Sequence, residues 1–164
     1  MNSPFANLFL DLQEQIQTNI PEIAYIEQDL GQLGSEEPRK GLQFPAVLID
    51  FPNTPFDNLQ GNNQLAIPVI AITLIFDVYN ATNSLAPIEI RQDGLIYLEI
   101  EQKVYQALQG WQTDYCQPLS RTNAKSQNRN DLGLRVRELT YTTEFEDRSC
   151  DESPQPVAIS LRSE

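Results

Sequence analysis

Residues Leu65 to Tyr79 read LAIPVIAITLIFDVY, an apolar run rich in Ile and Val that gives way to a turn at Asn80, Asn83 and Ser84. β-Branched residues favour the pleated, packed environment of a sheet, and Pro68 near the start disfavours a helix interior. The run therefore predicts one long strand, buried on both faces over much of its length, with a buried helix as the alternative. Nothing in it carries chemistry; it is scaffold. Working outward, FPAVLIDF at Phe44–Phe51 predicts a second strand bracketed by Pro45 and Pro52, with Pro45 suited to a strand entry or an edge. Asn53 to Gln64 reads as a mobile loop. Downstream, Pro87 opens a helix to about Leu108. Ile96, Ile100, Val104 and Leu108 step by four along one expected core face, with Tyr97 beside them. Leu95 and Leu98 fall off that stripe onto a second, less buried apolar surface. Gly110 follows as a C-terminal glycine.

At the N-terminus, Ser3 caps a helix with Pro4 in its first turn. Phe5, Leu8, Phe9, Leu12 and Ile16 recur at helical spacing until Pro21. IAYIEQ (Ile23–Gln28) predicts a short strand, followed by a polar loop with Gly31, Gly34, Ser35 and Pro38. After the second helix comes a long hairpin. Its arms are Tyr115–Thr122 and Leu132–Phe145, and its polar tip is Asn123–Asp131. In the second arm Leu132, Leu134 and Val136 alternate in one phase, and Leu139, Tyr141, Thr143 and Phe145 in the other. That switch near Arg137 and Glu138 predicts a β-bulge or a change of sheet. Residues 147–164 read as a tail that is flexible or adds a strand to a neighbour.

The 164 residues suit one domain, taken as 1–146 plus the tail, and carry a net charge of −12. Such a balance argues against binding nucleic acid through phosphate neutralisation. The apolar run stops at Asp77, short of the roughly 20 residues that span a bilayer. The N-terminal stretch has no positive n-region, so the expectation is a chain made and kept in a cytoplasm, without a membrane. Cys116 and Cys150 read as isolated thiols. Charge is unevenly laid out. The first 38 residues hold seven acids and no Lys or Arg, whereas 121–137 holds Arg121, Lys125, Arg129, Arg135 and Arg137 against Asp131 alone. One reading is a solvated hairpin whose charges keep an exposed edge soluble. The other is a self-complementary molecule whose basic hairpin meets an acidic face of the next copy, head to tail. A basic tip contacting DNA is a third.

With no histidine in the chain, Ser-His-Asp and Cys-His sites and the usual zinc sites are excluded. No glycine-rich phosphate loop is present. Glu36–Glu37 and Asp151–Glu152 read as solvated charges, and Glu99 and Glu101 as residues on different faces of one helix. No cofactor, metal or catalytic residue is assigned, although a carboxylate-only enzyme is kept as a rival hypothesis.

The order of these elements resembles the tail terminator (tail completion) family of tailed bacteriophages. The likeness is carried by the N-terminal helix running into IPEIAYIEQ, then FPAVLIDF, AIPVIAITLIFDVYN, LIYLEIEQKVYQALQGW and LGLRVRELTYTTEF, over roughly residues 5–146. The resemblance implies an α+β fold, an antiparallel β-sheet with a long hairpin flanked by two α-helices. It also implies a non-catalytic virion protein, a hexameric ring that caps the tail tube protein and meets the neck or head-completion protein. DNA would pass through that ring without sequence-specific binding. The basic segment Arg121, Lys125, Arg129, Arg135 and Arg137 is then the expected oligomer interface, and reversing Arg135 and Arg137 is expected to dissociate the ring. Other neck or baseplate proteins, and an acidic monomeric inhibitor-type module, are the alternatives.

Overall fold

The computed structural model describes residues 3–34, 41–78, 80–129 and 133–150. Among these the chain is α+β. Helix α1 (Pro4–Asn19) leads to strand β1 (Tyr25–Gln28), then β2 (Ala46–Asn53), β3 (Phe56–Asn58), β4 (Gln64–Ala66) and β5 (Val69–Phe76). Helix α2 (Ile88–Leu108) and strands β6 (Ser120–Arg129), β7 (Leu134–Thr142) and β8 (Phe145–Asp147) complete it. A five-stranded sheet has the order β1-β2-β5-β7-β6, and a three-stranded sheet the order β3-β4-β8. Every pairing is antiparallel except β1 with β2.

The predicted long strand is two strands, β4 and β5, broken at Ile67-Pro68; Tyr79 lies outside the described residues. Pro68 has no N–H to give a ladder, and the ladder is suspended there without losing register. Ala66 faces Phe145 and Val69 faces Thr142, so both chains skip the same two positions. Side chains fill the gap. The Thr142 hydroxyl donates to the Pro68 carbonyl at 3.2 Å, and Ile67 N–H turns to the Pro55 carbonyl at 3.0 Å. As expected, β5 is the central strand and is buried on both faces from Ile72 to Phe76.

Alternation explains the two cores. Val47, Ile49, Ile70, Ile72, Leu74, Phe76, Leu139 and Tyr141 point to the face that carries both helices, against Leu8, Leu12 and Ile16 of α1 and Ile100, Val104 and Leu108 of α2. Ala46, Leu48, Ile75, Leu134 and Val136 point to the opposite face, where Leu42, Phe44 and Leu33 of the β1–β2 connection cover one end. Each fully buried aliphatic side chain contributes about 1.5–3 kcal/mol. The phase switch in β7 is therefore no bulge: β7 runs in unbroken register against β5, and its apolar residues simply serve opposite faces at its two ends. The register shift in the hairpin lies in β6, between Arg121 and Asn123.

Several boundaries also differ. Asn123 to Arg129 is strand and not tip, because an edge strand pairs through its backbone whatever its side chains. The strands are joined across 130–133, of which 130–132 lie outside the described residues. Asn53 to Gln64 folds into β3 and a single helical turn at Gln60–Asn62. Pro45 precedes β2, an interior strand, and Pro52 sits in that strand's irregularity between Asp50 and Asn53, where no N–H is demanded. Ile96 is half exposed. A strict step of four advances about 40° around the helix each time, so Ile96 ends well off the face that holds Leu108. Leu95 and Leu98 are exposed at 42% and 39%, as their phase predicts.

Helix ends follow the expected chemistry. The Ser3 side chain accepts from Ala6 N–H, with Pro4 opening α1. After α2 the chain reverses at Gly110, whose φ of +76° an L side chain resists. Phe5 at the start of α1 stands edge-to-face on Phe51 and Phe145, at 5.5 and 5.3 Å, which ties the helix to both sheets. The helices are joined by Gln15 Nε2 donating to the Ala107 carbonyl at 2.8 Å and by the Lys103–Glu22 ion pair. The tail beyond Cys150 and the Glu36–Glu37 pair lie outside the described residues.

Candidate functional site

Strand alternation divides the basic segment 121–137. On β7, Arg135 and Arg137 fall in the phase of Leu139 and Tyr141, so both point to the helix-covered face. Helix α2 meets them with Tyr97, Glu101 and Tyr105, spaced by four along one stripe. The Arg135 guanidinium lies 5.9 Å from the Tyr97 ring centroid. Arg137 is bidentate on Glu101, Nε to Oε2 at 2.5 Å and Nη2 to Oε1 at 2.9 Å. Arg121 of β6 covers the Tyr105 ring at 3.9 Å. Its backbone N–H donates to Gln109 Oε1. The Glu101 hydrogen bonds raise the Arg137 pKa above its ordinary value, against the opposing effect of burial. Three of the five cations thus fasten α2 to the sheet.

Lys125 is different. It lies on the opposite face of β6, opposite Glu138, whose carboxylate it meets at 2.8 Å while about half of the lysine side chain stays exposed. Gln127 Nε2 donates to the same carboxylate at 2.7 Å. Arg129 pairs by backbone with Leu134; its side chain lies outside the described residues. Sequence reasoning grouped the five as one surface and missed the Tyr97-Glu101-Tyr105 stripe. The signal is present in the sequence as the i, i+4, i+8 spacing of these three residues.

The other charged surface lies between α1 and the 111–115 turn that follows α2. Asp11, Glu14 and Asp114 line an open cleft of about 500 Å³ beside Trp111 and Tyr115. The Tyr115 hydroxyl donates to Asp11 Oδ2 at 2.5 Å, and burial together with that carboxylate raises the phenol's pKa. Cys116 is buried in the next turn, its sulfur accepting from the Thr113 N–H and hydroxyl; Cys150 is exposed and both thiols are free. No group of three Cys, Asp or Glu among the described residues is placed to hold a metal ion. No described helix is long and apolar enough to cross a membrane.

Among the described residues the five-stranded sheet ends in two unlike edges. On β1 the outward Ile26 and Gln28 carbonyls accept from Gln13 and Gln32 and the Gln28 N–H donates to Glu27, whereas β6 has no such cap beyond Arg121. β1 pairs only with β2, and β6 only with β7. β6 reads SRTNAKSQNR, ten residues with Ala124 as its sole apolar one. Its outer row of backbone groups is the longest unpaired edge among the described strands.

No protein-family model and no curated protein matches the sequence. Among solved structures, the fold is similar to that of a chain in a virion of a native gene transfer agent particle. The TM-score is 0.53 at 13% identity, over 85% of this chain and 95% of that one. At that identity the likeness is one of fold.

Proposed function

We propose that this chain is a structural protein of a phage-like particle, a non-catalytic ring subunit that caps a tail tube and joins it to the neck. The observation that carries this is the shared fold with a virion chain over nearly that chain's whole length. The surfaces agree with it. A β6 edge uncapped beyond Arg121 and bearing Lys125, on a chain acidic elsewhere, suits head-to-tail contacts, which close into a ring when the rotation per copy permits. The segment Arg121, Lys125, Arg129, Arg135 and Arg137 supplies one side of that contact, Lys125 directly and Arg121, Arg135 and Arg137 by holding α2 beneath the edge. A net charge of −12 suits a passage that repels the DNA phosphates moving through it. The tube protein and a neck or head-completion protein are the expected partners, about six copies the expected stoichiometry, and the virion the expected location.

Native mass and negative-stain images at two salt concentrations test this reading. A ring of about six copies that weakens as salt rises supports it. A chain that stays monomeric at high protein concentration and low salt overturns it and favours an acidic binding module.

A further inference from the structure

The uncapped part of the β6 edge is flanked by apolar surface that the described residues leave uncovered. Gln109 caps the Arg121 N–H at the start of β6, whereas from Asn123 to Arg129 the outward backbone carries no side-chain cap among the described residues. On this stretch Ala124 and Ser126 pair with Leu139 and Arg137, so they share the helix-covered face, yet both are exposed. Helix α2 leaves them uncovered. Leu98 lies seven residues before Tyr105, two turns back along the side of α2 that Tyr105 turns to Arg121 of β6, and Leu95 lies about one turn further. These leucines are 39% and 42% exposed, beside an edge whose N–H and C=O groups lack a strand partner. The segment that would cover both features has a defined chemistry. It is an extended chain with alternating apolar residues, its backbone meeting the edge and one face meeting Leu98, Leu95 and Ala124.

Such a sequence follows the last described residue. Beyond Cys150 the chain reads DESPQPVAISLRSE, in which Val157, Ile159 and Leu161 alternate behind Pro156. We propose that residues 157–162 of one copy pair with β6 of the next, so that an exchanged strand ties each copy to its neighbour. This rests on the ring reading above and names the occupant of the β6 edge: a second copy, through its C-terminal segment. Charge selects the direction. Run antiparallel, Leu161 stands beside Ala124, Ile159 beside Ser126 and Val157 beside Asn128. Arg162 then meets Asn123, and Asp151 and Glu152 approach from the Arg129 end. Run parallel in the same phase, Arg162 would stand beside Arg129. The segment is also screened from β6 of its own chain. Cys116 bridges Phe145, the Gln117 N–H donates to the Glu144 carbonyl, Leu119 pairs with Gly110 and Trp111, and Gln109 caps Arg121. Residues 109–119 thus stand between β8 and the free part of β6. Residues 151–156 reach about 20 Å when extended, enough to cross to an adjoining subunit.

Directly opposed antiparallel residues have Cα atoms about 4.5–5.5 Å apart, within reach of a disulfide. In a full-length Cys150→Ser background, Ala124→Cys combined with Leu161→Cys should yield, on mild oxidation, a ladder of linked copies up to the size of the ring. Moving the second cysteine from Leu161 to Ser160, on the other face of the strand, should reduce the ladder several-fold. As a test that uses no cysteine, Ile159→Asp should raise the concentration needed for half-assembly about tenfold or more, while the unassembled chain melts as the parent does. A ring of wild-type mass that lacks either the ladder or the response to Ile159→Asp overturns the strand exchange and leaves the ring reading standing. A disulfide closed within single chains, at monomer mass, overturns the exchange as well and assigns the segment to its own edge. A chain that never assembles overturns both.

Discussion

Replacing Arg137 by Met tests whether this cation serves the fold or a neighbour. Its guanidinium is held by both oxygens of Glu101, with side-chain exposures of only 21% and 11%. Removing one partner of a buried pair leaves an uncompensated charge, at a cost of about 3–5 kcal/mol. Because a fifth of Arg137 meets water, the expected loss is near the lower limit, about 3 kcal/mol. In a domain of this size that lowers the melting temperature by roughly 6–12 °C. The double variant Arg137→Met with Glu101→Leu should recover to within about 1 kcal/mol of the parent, since an apolar pair of similar volume avoids both desolvation terms. Thermal melts at neutral pH give all three values. A single variant that melts within 2 °C of the parent would refute the reasoning. The recovered double variant also permits a cleaner question than reversing Arg135 and Arg137 to Glu, because reversal would place carboxylates beneath α2 and damage the fold first. If the double variant is stable and still forms the ring, the charge of Arg137 is not needed between subunits.

Gly94 of α2 offers a second perturbation: a Cβ there would stand 2.6 Å from Thr82 Cγ2 and 2.9 Å from the Asn80 carbonyl. Gly94→Ala should therefore destabilise by about 1–2 kcal/mol, a clash of up to ~3 offset by the ~1 gained in helix propensity, and stabilisation in a urea melt would contradict the close approach. Tyr141 is fully buried with a hydroxyl that has no hydrogen-bond partner among the described residues, and burial pushes its pKa up to about 12. The folded chain keeps that proton where the unfolded chain loses it, near pH ~10. Stability is therefore intact below pH ~10 and falls as pH rises towards 12. Tyr141→Phe should be about 1 kcal/mol more stable at pH 7 and should lack this tyrosine's share of the alkaline loss, as melts at pH 7 and pH 11 would show.

Elements whose signal is local apolar periodicity were legible in the sequence. Leu8, Leu12 and Ile16 mark α1, and the capping residues Ser3 and Gly110 sit where their chemistry places them. What was not legible depends on partners distant in sequence. β6 looks like a turn because an edge strand of Asn, Ser, Lys and Gln shows no burial pattern, and its backbone partner is declared only by β7. The Leu134/Val136 and Leu139/Tyr141 phases look like a bulge because a sequence does not say that one strand is covered on both faces. The five cations look like one surface for a related reason: β7 and β6 turn Arg135, Arg137 and Arg121 under α2 and leave Lys125 outside. A charge count along a segment becomes a charged face only after strand phase is known.

The same phase argument bears on how such an edge avoids misassembly. Long open edges recruit unrelated strands, and proteins commonly blunt them with charge or shortness. Here the two devices are divided between the edges. β6 is ten residues long and carries its protection in polar and cationic side chains, whereas β1 is four residues long and is capped by Gln13 and Gln32 on the Ile26 and Gln28 carbonyls and by Glu27 on the Gln28 N–H. β1 thus offers almost no free ladder to an incoming strand, because most of its outward backbone groups are already bonded within the chain. The burden of avoiding misassembly falls on β6, whose polar and cationic side chains keep a long uncapped edge solvated.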